Sequence, residues 1–141
     1  MKKGQINMSF GMIFSIILII VFLAFGFYAI TKFLEFQENV KIEKFLNDFQ
    51  EDVNSMWKSL QGSQTKTYTL PTKINAVCFK DDEFRNLEFS SKQIINGDYI
   101  EHLDIENITR KENPFCINNT KGKLTLKIVK NYGETLVTIE V

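Results

Sequence analysis

The run from Phe10 to Ile30 constrains this chain more than any other feature: 21 consecutive residues carry no charge, and Ser15 is the single frankly polar side chain among them. About 20 such residues span the hydrocarbon core of a bilayer. A secretory h-region is shorter and ends in a small-x-small cleavage site. Here the only such triplet, Ala24-Phe25-Gly26, lies inside the apolar run. A retained transmembrane helix over residues 5–35 is the expectation, and an ordinary soluble enzyme is excluded. Of the 13 phenylalanines, Phe10, Phe14, Phe22, Phe25, Phe27 and Phe33 fall in or beside this segment.

Charge placement orients it. Lys2, Lys3 and Lys32 are the only charged residues up to position 32, whereas residues 33–62 hold Glu35, Glu38, Glu43, Asp48, Glu51 and Asp52 against Lys41, Lys44 and Lys58. Cytoplasmic flanks collect Lys and Arg, so the N-terminus is expected inside the cytoplasmic membrane and the C-terminal domain outside. The whole chain carries 17 basic and 17 acidic residues. That balance, with only the isolated pairs Arg110-Lys111 and Lys121/Lys123 as basic clusters, gives no footprint for nucleic acid.

Between Met8 and Leu60 there is no proline, and the glycines are Gly11 and Gly26 alone, so nothing in the covalent chain stops a helix where it leaves the lipid. Over residues 36–62 the apolar positions Ile42, Leu46, Phe49, Val53, Met56 and Leu60 recur at spacings of four and three, which keeps them on one helical face. Phe45 and Trp57 widen that stripe. Lys44, Asp48, Glu51, Asp52 and Lys58 are expected opposite it. The stripe has two outlets, the chain's own globular domain or copies of itself and partners, and the periodicity leaves both open. Gly62-Ser63 reads as the helix stop.

From residue 63 to 141 the period changes from 3.6 to 2. Thr67–Leu70, Ile74–Phe79 and Leu87–Phe89 read as strands, and Leu124–Ile128 and Leu136–Val141 as a hairpin about Asn131-Tyr132-Gly133. A four- to six-stranded antiparallel sheet with one apolar face needs a cover, and the amphipathic helix supplies one. The expected fold is therefore α+β: a long N-terminal transmembrane helix continuing into an amphipathic helix, packed on a small antiparallel β-sheet domain. For residues 94–110 the pattern allows a short strand followed by loop.

Cys78 and Cys116 are the only cysteines. Both fall in the domain placed outside the cytoplasm, where disulfides persist, and a bridge between them would support a unit of about 80 residues that buries too little surface to be comfortably stable alone. Asn107-Ile108-Thr109 and Asn118-Asn119-Thr120 match the N-glycosylation acceptor pattern, so Asn107 and Asn118 are candidate acceptors. Asn7-Met8-Ser9 matches too but sits on the cytoplasmic side.

No constellation for catalysis stands out. His102, the sole histidine, lies between acids in Glu101-His102-Leu103-Asp104, and Asp81-Asp82-Glu83 lacks the spacing of a calcium loop. No glycine-rich phosphate loop and no zinc spacing occurs. The expectation is a non-enzyme with no cofactor, no metal and no small-molecule substrate.

Lys2-Lys3-Gly4-Gln5 abutting the apolar helix resembles the class III signal peptide of type IV pilins, in particular the archaeal pilin and archaellin group. The resemblance implies a cut between Gly4 and Gln5 by a prepilin-type peptidase, residues 1–4 being the leader. The released helix then forms a filament core with other pilin-like subunits, of its own kind or another. Archaeal pilins often begin Gln-x-Ser-x-Glu-Phe; Gln5 and Phe10 fit, whereas Asn7 stands for Ser and Ser9 for Glu. In the family that Glu pairs with a neighbour's new N-terminal amine, and members lacking it are minor, tip or pseudopilin-type subunits. An uncleaved single-pass anchor, whose outer domain binds a protein or glycan, fits the orientation, cysteines and stripe equally well.

Overall fold

The structure, a computed structural model, describes residues 9–141. The order of elements is α1 (Phe10–Trp57), β1 (Gly62–Thr69), β2 (Ile74–Phe79), β3 (Leu87–Ser91), α2 (Ile105–Ile108), β4 (Phe115–Asn118), β5 (Lys123–Lys130) and β6 (Thr138–Glu140). The chain divides into two compact units, Met1–Gln37 and Glu38–Val141.

In the first unit α1 begins where Ser9, a good N-cap residue, offers its carbonyl to the amides of Met12 and Ile13. Every Ile, Leu, Val, Met and Phe from Phe10 to Leu34 is at least 40% exposed. The two aliphatic hydroxyls in this stretch are satisfied within the helix, Ser15 donating to the Gly11 carbonyl and Thr31 to that of Tyr28, both at 2.8 Å. Neither of these hydroxyls therefore needs water.

In the second unit the strands form two three-stranded antiparallel sheets, β1-β5-β6 and β3-β2-β4, rather than the single sheet the sequence suggests. β1 and β5 pair without interruption from Gly62↔Lys130 to Thr69↔Lys123. In the other sheet β2 is central, with Val77 opposite Phe89 on β3 and Ile117 on β4. The core between the elements is apolar and aromatic: Ile42, Phe45, Phe49, Val53 and Met56 of α1 meet Tyr68, Phe79, Leu87, Phe89, Leu126 and Ile128 from both sheets. Phe45 packs edge-on against Tyr68 and Phe89, and Phe49 against Tyr68. A stripe on one helix thus covers the inner faces of two sheets, which neither could bury alone.

Helix α1 ends at Trp57, five residues short of the expected boundary at 62. The final carbonyls are taken early: the Ser59 hydroxyl donates to Met56 O, and the Lys130 ammonium of β5 donates to Trp57 O. With the last turn capped from outside, residues 58–61 turn and Gly62 opens β1 instead of closing α1. The β5–β6 connection also runs longer than a three-residue hairpin. Gly133 takes the left-handed conformation (φ 85°), as a turn glycine should, but Val137 is diverted: its N–H donates to His102 O and its carbonyl accepts from Asp104 N. The strand resumes only at Thr138. The segment 94–110 contains no strand of its own. It is a loop closed by α2, and Asn86 pins it by bonding both the N–H and the carbonyl of Ile100. At Gly97 an added Cβ would stand 2.1 Å from the Leu87 carbonyl oxygen, so only glycine allows the Leu87–Asp98 pairing beside it.

Candidate functional site

The feature of the first unit with functional content is the surface of α1 itself. From Phe10 to Leu34 its apolar side chains project outward on all sides, and a helix apolar all round requires an apolar surrounding. It is long and apolar enough to cross a membrane by length and composition. The run closes at Lys32 and Glu35, which pair at 3.0 Å. The residues expected to be processed, Gly4 and Gln5, lie outside the described residues.

Along the outer part of α1 the structure sorts the expected stripe. Ile42, Phe49, Val53 and Met56 are buried, Leu46 is half-buried against the core, and Phe45 is more deeply buried than Leu46. Leu60 does not belong to the stripe: it lies beyond the helix end and is 84% exposed. Asp52 does not belong to the outer face either. Its carboxylate accepts from the Tyr68 hydroxyl at 2.7 Å and pairs with Lys66 at 3.0 Å. Burial pushes the Tyr68 hydroxyl well above the usual phenol range, and the hydrogen bond and charge of Asp52 add to it.

Cys78 and Cys116 face each other in the β2–β4 register and form a disulfide. The bond ties β4, a strand of four residues, to the central strand of its sheet. The candidate acceptors are placed differently. Asn118 is exposed on β4 with Thr120 exposed two residues on. Asn107 is exposed on α2, but the hydroxyl of its Thr109 is buried and donates to Ile105 O at 2.7 Å. Asp82 forms a turn by accepting from the N–H groups of Phe84 and Arg85, and those bonds hold its carboxyl below the usual range.

His102 is engaged rather than free. Its ring stacks on Trp57 with centroids 3.8 Å apart, and Nδ1 lies 3.0 Å from Asn54 Oδ1. Because that oxygen also accepts from Gln50 Nε2, Nδ1 is the donor. Gln50 in turn brackets Glu101, accepting from its N–H at 2.9 Å and donating to its carbonyl at 3.4 Å. Gln50 and Asn54 thus clamp the loop at residues 101–102 onto α1. This contact is not legible in the sequence, because single amides 48 and 51 residues from their partners leave no periodic trace. A polar hollow is lined by Asp104, Glu106, Asn107, Arg110 and Glu134. Asp104 is occupied there in capping α2 through Asn107 N. Among the described residues no group of His, Cys, Asp and Glu is arranged to hold a metal ion.

Comparison with protein families, curated proteins and solved structures gives no match to this chain.

Proposed function

We propose that this chain is a pilin-like structural subunit, minor or at the tip, of an extracellular type IV pilus-like filament or pseudopilus. It is anchored first in the cytoplasmic membrane, N-terminus in and β domain out, and assembled through its N-terminal helix after a prepilin-type peptidase cuts between Gly4 and Gln5. The observation that carries the reading is a helix whose apolar side chains are exposed from Phe10 to Leu34 among the described residues, preceded in the sequence by Lys2-Lys3-Gly4-Gln5. Lipid covers such a surface before assembly, and like helices cover it afterwards. The α+β domain, with a helix stripe buried on its own sheets and a disulfide, supports the reading as a rigid external head. The test is to shear filaments from native cells: the protein is expected in the sheared fraction beginning at Gln5.

A second reading, an uncleaved single-pass anchor presenting a binding domain, is favoured by Ser9 standing where the family's Glu would be. Retention of the protein in washed membranes with residues 1–4 intact would select it.

A further inference from the structure

Asn96 is the one asparagine of this chain that is followed by glycine. It is exposed, and residues 94–97 belong to no strand or helix. On one side of this short span the Gln93 N–H donates to Ser91 Oγ at 3.2 Å. On the other, Asp98 exchanges two backbone hydrogen bonds with Leu87, at 2.9 and 3.0 Å. Between these anchors, no hydrogen bond among the described residues reaches the backbone of 94–97 or the side-chain amide of Asn96. Ile95 alone packs on the core.

An asparagine side-chain carbonyl and the backbone nitrogen of the next residue can close a five-membered ring, an intramolecular reaction that needs no partner to be brought in. A side chain on that next residue hinders the closure, and so does a hydrogen bond that occupies its N–H. Gly97 has no side chain, and its N–H donates to no group among the described residues. Nor does the fold accept another residue at 97, since an added Cβ would stand 2.1 Å from the Leu87 carbonyl oxygen. We infer that Asn96 is a site of self-modification. The Gly97 nitrogen bonds to Asn96 Cγ, the Cγ–Nδ2 bond breaks, and Nδ2 leaves as ammonia with the proton that the Gly97 nitrogen gives up. The cyclic imide then takes up one water. Opening at Cγ leaves aspartate, and opening at the main-chain carbonyl leaves isoaspartate, whose Cβ and Cγ have become part of the main chain.

The isoaspartate form has a structural consequence that the aspartate form lacks. It lengthens the backbone before Gly97 by one carbon–carbon bond, about 1.5 Å. Leu87 stays where β3 holds it, opposite Phe79 of β2, while Gly97 and Asp98 are displaced from it. The paired bonds between Leu87 and Asp98 are then lost, and the outer edge of β3 is left open at Leu87, where a covered edge had been protected from pairing with another chain. The inference goes beyond the filament reading and does not depend on it, since it concerns only the second unit.

The test is to age the full chain in detergent for weeks in mildly alkaline buffer and to follow each asparagine by peptide mass, distinguishing isoaspartate from aspartate by fragmentation at the Cα–Cβ bond. Conversion at Asn96 is expected to be severalfold faster than at Asn118 and Asn131, which are also exposed but precede Asn119 and Tyr132, and isoaspartate is expected among its products. Amide exchange of the aged chain should show lost protection at Leu87 and Asp98 in proportion to isoaspartate. Two variants at this exposed, unbonded side chain keep the fold. Asn96→Ala, aged in parallel, should neither convert nor lose that protection, and freshly purified Asn96→Asp, which has the charge without the longer main chain, should keep it. Conversion at Asn96 no faster than at Asn118 or Asn131, protection at Leu87 and Asp98 indifferent to isoaspartate, or equal loss of protection in aged Asn96→Ala would each overturn the inference.

Discussion

The indole of Trp57 lies nearly parallel to the imidazole of His102, their planes 17° apart and their centroids separated by 3.8 Å. They are the chain's only tryptophan and only histidine, so intrinsic fluorescence reads this one contact. His102 sits at φ 66°, a conformation that asparagine tolerates. His102→Asn is expected to change Trp57 emission without losing the fold and to cost about 1 kcal/mol, the scale of a stacked aromatic pair. Emission unchanged in the variant would show that the two rings are apart in solution.

Phe49 is fully buried, whereas Leu60, one of the six positions in the sequence-derived stripe, lies outside the helix and in solvent. Phe49→Ala should destabilise the second unit by about 3–5 kcal/mol, and Leu60→Ala should stay within about 0.5 kcal/mol of the parent. Urea midpoints of the two variants make the comparison, and similar losses would mean that Leu60 is packed after all.

The Cys78–Cys116 bond closes a separation of 38 residues. In the chain-entropy account a loop of this size contributes about 3–4 kcal/mol. Reduction should therefore add two hydrogens by intact mass and lower the urea midpoint, and the double variant Cys78→Ala with Cys116→Ala should match the reduced protein.

Tyr68 supplies a pH dependence whose sign is fixed. Burial and Asp52 raise its hydroxyl above the phenol range in the folded state, so the folded chain keeps a proton that the unfolded chain releases. The associated stability is whole below about pH 10 and is lost as pH rises above it. Tyr68→Phe should remove this alkaline share. It should also cost about 1–2 kcal/mol at neutral pH through the lost hydrogen bond to a carboxylate. Phenolate absorbance near 295 nm, followed to the alkaline transition, should show Tyr68 titrating only as the protein unfolds.

Much of the architecture could be read from periodicity because burial is what periodicity records. Ile42, Phe49, Val53 and Met56 recur at helical spacing and are buried together, and Leu124, Leu126 and Ile128 alternate and face the core. The end of α1 could not be read, because the pattern continues through Leu60 while a lysine 73 residues away, Lys130, caps Trp57. β4 was invisible for a different reason. Phe115–Asn118 is too short to show a period, and it is held by pairing with β2 and by the disulfide rather than by its own propensity. The split into two sheets likewise depends on which strands pair across the chain, which local alternation does not encode. Asp52 was assigned to the outer face by its charge alone, yet Lys66 and Tyr68 draw it to the edge of the core.

The central claim is that the apolar helix serves a processed, filament-assembled subunit. The most direct measurement is the N-terminal mass of the protein taken from native membranes and from sheared filaments. The account predicts a mature chain beginning at Gln5, four residues shorter than the sequence, present in both fractions. A chain that retains Lys2, Lys3 and Gly4 and occurs only in membranes would contradict it.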